Sequence, residues 1–318
     1  MSEGAPDDSP APAPESPAPA PESPAPAPES PAPAPESVIA EVLRLTRPAV
    51  LTSVLHTVVF LADRIMLGQH GATSLASMQI SGSILWSVFN VFFGALVGTV
   101  ALVSRRVGED DLPAARTVAA TALRISALIG IVVAGLVALG AGPIAAAMAP
   151  PPDAIGGEQA RAAIEGAARS YMLMGSWCFP AVFVAACGAM ILNGSGDTRT
   201  TFHIGLAVNA FNLAGDYLLI YGADLGPIHV PELGATGAAL ATSLAYVLDA
   251  SLILWVLTRP NCPVRVRPAM ARLQAARELV RVGAPAIAER VVIHVGYVAF
   301  AAIVTVLGAW PWPPTSPS

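Results

Sequence analysis

The sequence predicts an all-α membrane protein with about seven transmembrane helices. Three observations carry that prediction. The 318 residues are 54% hydrophobic and 12% charged, with mean hydropathy +0.61, whereas soluble domains carry roughly 25% charged residues. Seven apolar runs reach the ~20 residues that span a bilayer as helix. Arginines crowd alternate connections between those runs, as the positive-inside rule expects.

The first 37 residues stand apart. They are Pro- and Ala-rich, with ESPAPAP three times in succession from Glu15 to Pro35. Repeated Pro removes backbone donors and fixes φ, so residues 1–37 are expected as a disordered, polyproline-like cytoplasmic tail, a spacer or a docking site for a proline-recognising domain. No cleavable signal peptide is expected, since no charged n-region with an apolar core opens the chain.

The runs lie at about 46–67, 75–103, 118–148, 170–193, 200–222, 234–258 and 282–309. Pro48 fits the first turn of its helix, and Pro180 and Pro285 are expected as kinks. Gly94 and Gly98 form a GxxxG that permits close helix packing. The six-helix portion is set at 38–258, an amphipathic cytoplasmic connection at 259–281 and a seventh span at 282–309, with an atypical end at 310–318. In the connection, AMARLQAARELVR places arginines and apolar residues at helical spacing. It is expected to lie along the inner membrane surface, in contact with anionic lipid or as a regulatory site.

Arg44 and Arg47 precede the first span. Arg105, Arg106 and Arg116 follow the second, and Arg199 the fourth. Six arginines from Arg259 to Arg281 precede the seventh. All lie on one side if the N-terminus is cytoplasmic, which sets the expected topology in the cell's inner (plasma) membrane. The opposite side carries Arg161 and Arg169 and the loop GADLGPIHVPELGA, which has no basic residue. The net charge of −5 excludes a nucleic-acid partner as an expectation. Cys178, Cys187 and Cys262 show no metal-binding spacing, and no metal is expected. No HExxH, GxSxG or phosphate-cradling loop is present, so no enzyme and no cofactor are expected. NGSGDTRT joins two spans and is read as a tight inner turn.

Charges within the apolar runs are the functional lead. A charge in hydrocarbon costs at least ~2.5–3.5 kcal/mol and normally faces a cavity. Asp63 lies sixteen residues beyond Arg47, and Asp216 seventeen beyond Arg199. Both thus sit about 25 Å along the helix from an arginine anchor. A shared depth follows; adjacency does not. Asn209, Asn212 and Asp216, at i, i+3 and i+7, form a polar stripe on one helical face, which fits a wet cavity better than lipid. Arg64 directly after Asp63 leaves open a marker of the helix end instead. His56 is read as a packing histidine or a water-linked relay, and Asp249, Glu289 and Arg290 as helix–helix polar contacts.

With these residues in view, the chain over about 42–309 resembles the multidrug and toxic compound extrusion (MATE) family. The resemblance rests on RPAVLTSVLHTVVFLADRIMLGQHG, ALVSRRVGEDDLPAAR, LNGSGDTRT, NAFNLAGDYLLIYG, LGATGAALAT and GAPAIAERVVIHVG, in that order and spacing. The Asn212/Asp216 pairing and the Glu289 context look most like the DNA-damage-inducible branch. The resemblance implies an antiporter in which H⁺ or Na⁺ entry, the only cofactor-like requirement, drives export of amphipathic, often cationic, small molecules. It places Asp63, Asn212 and Asp216, with Thr242 from helix 6, in a cavity of the N-terminal lobe, and Asn209 shares their stripe. Family members have twelve spans in two six-helix lobes. Here WPWPPTSPS follows VTVLGA, so one lobe plus one helix is expected: a truncated chain, inactive alone or completed by a second lobe or by self-association. Arg64 also departs from the family's usual uncharged residue. Two other readings remain: a flippase of lipid-linked precursors from the related superfamily, disfavoured by the few arginines within spans, and a non-transporting membrane scaffold.

Overall fold

A computed structural model describes residues 35–70, 72–149, 151–152, 157–225 and 228–308. The expectations for 1–34, most of the Pro/Ala-rich tail, and for 309–318 lie outside the described residues. The chain divides into two units, Met1–Glu41 and Val42–Ser318; apart from the first turns of α1, everything below concerns the described residues of the second.

Among the described residues the fold is built from α1 (Pro35–His70), α2 (Ala72–Gly108), α3 (Leu112–Met148), α4 (Glu158–Ser176), α5 (Phe179–Gly194), α6 (Thr198–Tyr221), α7 (Gly234–Thr258) and α8 (Leu273–Gly308). Five of these helices are long and apolar enough to cross a membrane, and α4 with α5, bent by 51° at their junction, together reach the same length and hydropathy as a broken span or a re-entrant loop. The expected seventh span coincides with the later part of α8, whose side chains from residue 297 lie outside the described residues.

The structure corrects several sequence expectations. The fourth span is not one helix over 170–193. It starts at Glu158 and breaks at Trp177–Cys178, and Pro180 sits in the first turn of α5, where its missing N–H leaves no intrahelical bond unmade. The backbone of α3 closes on this break: a Cβ on Gly130 would lie 2.8 Å from the Phe179 carbonyl oxygen. The loop after α6 contains a hairpin, Ala223–Leu225 paired antiparallel with Ile228–Val230. The amphipathic connection is not a separate helix: after a 3-10 turn at Pro268–Met270, α8 runs unbroken from Leu273 through Pro285. Its buried positions Ala275, Leu279 and Gly283 recur every four residues and face the bundle, while Leu273, Arg277, Val280 and Arg281 are exposed.

One close helix crossing and two apolar clusters set the bundle. Gly94 and Gly98 do meet a partner helix, and it is α8. Cβ atoms there would lie 2.9 Å from the Ala286 carbonyl oxygen and 3.3 Å from the Gly283 amide nitrogen, and one on Gly283 would lie 2.9 Å from the Ala95 carbonyl oxygen. Only hydrogen at all three positions lets the backbones approach so closely. The main apolar cluster fills the space between α2, α3, α5 and the inward face of α7, with Phe183, Ile191, Leu192, Ile253 and Leu257 at its centre. A smaller cluster lies near the α6–α7 hairpin: Leu67, Met78, Tyr171, Ile220, Ala235, Ala238 and Ala239.

Candidate functional site

The α6–α7 pair is the frame of the site. Asp197 caps α6, its carboxylate accepting the Thr200 amide at 3.1 Å, so NGSGDTRT is the tight turn the sequence suggests. From there Ile204, Val208, Asn212, Asp216 and Ile220 recur every four residues as the buried face. α7 packs antiparallel on that face. Gly237 abuts the Leu219 carbonyl, and a Cβ on Gly215 would lie 3.2 Å from that of Ala241. This close approach brings Asn212 Nδ2 within 3.5 Å of Thr242 Oγ1, to which it donates.

The expected residues fall into three groups. Asp216 is fully buried and Asn212 nearly so, at 0% and 7% exposure. Asp63, from α1, faces Asp216 across the gap as its side-chain partner. The two carboxyls are thus close enough to act on each other, which the depth matching alone did not establish. Thr242 meets Asn212 from α7. Asn209 is the exception. It is half-buried and its amide donates to its own helix, to the Gly205 carbonyl at 2.7 Å; it touches none of the other four in any described hydrogen bond.

Asp63 does not mark a helix end. α1 continues to His70, and the Arg64 guanidinium lies over the Phe60 ring at 4.3 Å. His56 and Glu289 are exposed rather than packed at helix contacts.

The carboxyl pair has few donors around it. Asp63 Oδ1 and both Asp216 oxygens have no hydrogen-bond partner among the described residues. Two carboxylates in contact away from water repel each other, and a proton or a cation between them relieves that repulsion. The arrangement is suited to take up one positive charge.

The sequence reading missed two residues here. Tyr171 of α4 is buried and lies within electrostatic reach of both Asp63 and Asp216. Tyr246 of α7, partly exposed, lies within electrostatic reach of Asp63 and of Asp249 one turn further along. A tyrosine in an apolar run is indistinguishable by sequence from a core aromatic. The only available signal was the i, i+4, i+7 spacing of Thr242, Tyr246 and Asp249, which gives one face. An apolar groove of ≈ 610 Å³ also lies between α1 and α6, lined by Met66, Ala210, Leu213, Ala214, Tyr217 and Leu218. None of the five expected site residues lines it.

A helical bundle with a carboxyl pair on α1 and α6, Asp216 buried and Asp63 half-buried, can be compared with known proteins. The MatE family model matches residues 48–218. The chain belongs to the MatE family. Among similar curated proteins, the probable multidrug resistance protein NorM of Thermotoga maritima is 27% identical over 273 residues, covering 85% of this chain and 55% of that protein. The multidrug resistance protein PmpM of Pseudomonas aeruginosa is 26% identical over 217 residues, 68% and 43% of the two chains. Among solved structures, an outward-facing multidrug resistance MATE transporter of the MOP superfamily has TM-score 0.68 at 22% identity, covering 79% of this chain and 52% of the other. A MOP superfamily transporter from Pyrococcus furiosus, described as having a binding pocket of reversed polarity, has TM-score 0.65 at 23% identity. The MatE-family chain thus spans about half the length of the curated relatives it matches. With its apolar spans, it is a multi-pass membrane protein.

Proposed function

We propose that this chain forms the N-terminal lobe of a cation-coupled multidrug efflux antiporter, with the Asp63–Asp216 pair as the coupling site. The observation that carries the reading is the encounter of two carboxyls from different helices inside an otherwise apolar bundle. Entry of one H⁺ or Na⁺ relieves the repulsion within the pair, and its departure restores that repulsion between α1 and α6. A coupling ion can drive a conformational cycle only through such a difference between states. Asn212 and Thr242 line the same space and supply one amide and one hydroxyl to orient an amphipathic substrate. Asn209 belongs to the approach rather than to the pair.

The names of the relatives support export of small molecules as the activity, and the family supports transport over catalysis. The arginine distribution supports a cytoplasmic N-terminus in the plasma membrane. In the working transporter this lobe acts with a second one, supplied by further chain or by another copy, because alternating access moves one half against the other around a midplane site.

The test is drug accumulation in cells expressing the protein with its second lobe. Asp216→Asn and Asp63→Asn each keep shape and remove charge. Loss of export to background is expected in both. Full export by both variants refutes the carboxyl mechanism.

A further inference from the structure

We propose that Tyr221 is a positioning residue that sets the encounter of Asp63 with Asp216 by clamping the end of α1 to α6. The inference rests on the reading of those two carboxyls as the coupling site.

Tyr221 is the last residue of α6. Its hydroxyl reaches the Met66 carbonyl oxygen at 2.9 Å and Gln69 Oε1 at 3.3 Å, and both acceptors belong to α1. Met66 is one turn past Asp63, and Tyr221 is five residues past Asp216, so the clamp and the pair join the same two helices at neighbouring levels. Leu67, between the two acceptors, is fully buried and packs in one cluster with Ile220 and Tyr171.

Elsewhere α1 is held loosely. Apart from Val59 and Leu67, its described side chains are exposed or half-buried; Val50, Val54, Val58 and Leu61 are each more than half exposed. Successive helical residues are ~100° apart, so a small rotation of α1 turns Asp63 away from α6. The Tyr221 hydroxyl is a polar contact to another helix one turn from the pair, and it fixes the rotation and axial register of α1 there. Tyr221 touches neither carboxyl; it acts through the backbone that carries one of them.

The experiment uses the full chain in native membranes with its three cysteines replaced by alanine. One cysteine pair, Asp63→Cys with Asp216→Cys, reports the encounter. A second, Asn212→Cys with Thr242→Cys, reports the α6–α7 frame. Disulfide formation by each pair is followed with Tyr221 intact and with Tyr221→Phe, which removes the hydroxyl and keeps the ring. The expected result is a drop of about threefold or more in the 63–216 rate on loss of the hydroxyl bond, with the 212–242 rate unchanged. An unchanged 63–216 rate overturns the role of Tyr221 and leaves the carboxyl pair standing. A fall in both rates means general loosening and also overturns it. Failure of residues 63 and 216 to cross-link even with Tyr221 intact overturns the pair itself, and the clamp with it.

Discussion

At the scale of single residues, the site separates groups that carry charge from groups that support them. Thr242→Val removes the oxygen that accepts from Asn212. Hydrogen bonds between membrane helices average about 0.6 kcal/mol, so this variant should keep export within a few-fold of the parent, whereas loss of either carboxyl should abolish it. Transport assays on the three variants in parallel check the ranking, and equal losses would contradict it. Asp63 and Asp216 were legible in the sequence because a charge inside an apolar run is expensive whatever the fold. Tyr171 and Tyr246 were not, because an aromatic in such a run satisfies both a core and a cavity. For Asn209 the sequence shows only a face: helical spacing cannot say that its amide bonds back to Gly205 on its own turn.

At the scale of elements, glycines decide where helices touch. Gly98→Leu at the α2–α8 crossing forces the backbones apart. Overpacking of this kind costs about 1–3 kcal/mol, read as a lower melting temperature of the purified protein in detergent. Gly135→Ala, at a position where an added Cβ meets nothing within 4 Å, should leave the melting temperature unchanged or raise it. The sequence named Gly94 and Gly98 but not their partner, since a GxxxG states that something approaches closely without stating what. It missed the break at Trp177–Cys178 for a different reason: Pro180 is compatible with a kink inside one helix and with the first turn of a second, and the choice depends on how α3 packs against it at Gly130. The helix start at Leu273 was missed because arginines in AMARLQAARELVR resemble an interfacial segment, while the buried Ala275 and Leu279 that tie it to the bundle are small and inconspicuous.

At the scale of the whole molecule, the arginine-rich end is cross-braced. Glu109 bonds Arg105 at 2.8 Å and Arg106 at 3.2 Å, and Arg106 reaches Glu278 of α8 at 3.5 Å. The hydrogen bond from Arg105 holds the Glu109 carboxyl below the usual glutamate range. With the folded value depressed, the brace contributes fully above the ordinary glutamate pKa and fades as pH falls through the lowered one. Hydrogen exchange of residues 105–109 should therefore quicken on acidification in the parent and quicken less in Glu109→Gln, where the Arg106–Glu278 pair and the Asp111 cap still titrate, once intrinsic rates are divided out. The same scale tests the topology: Arg267→Cys should be labelled by impermeant maleimide only after the membrane is opened, and His229→Cys in intact cells. The reverse pattern would invert the proposed orientation.

The hairpin after α6 has a mechanical consequence. Strands Ala223–Leu225 and Ile228–Val230 splice the ends of α6 and α7 together, and Gly237 seats the two helices in contact just beyond the splice. The pair forms a mast that carries Asp216, and α1 stands beside it like a boom tied at the Tyr221 hydroxyl, with most of its length exposed. Any change in the gap between the two acids during a cycle is therefore travel of Asp63, and spin labels on α6 and α7 should keep their spacing while a label on α1 changes its distance from both.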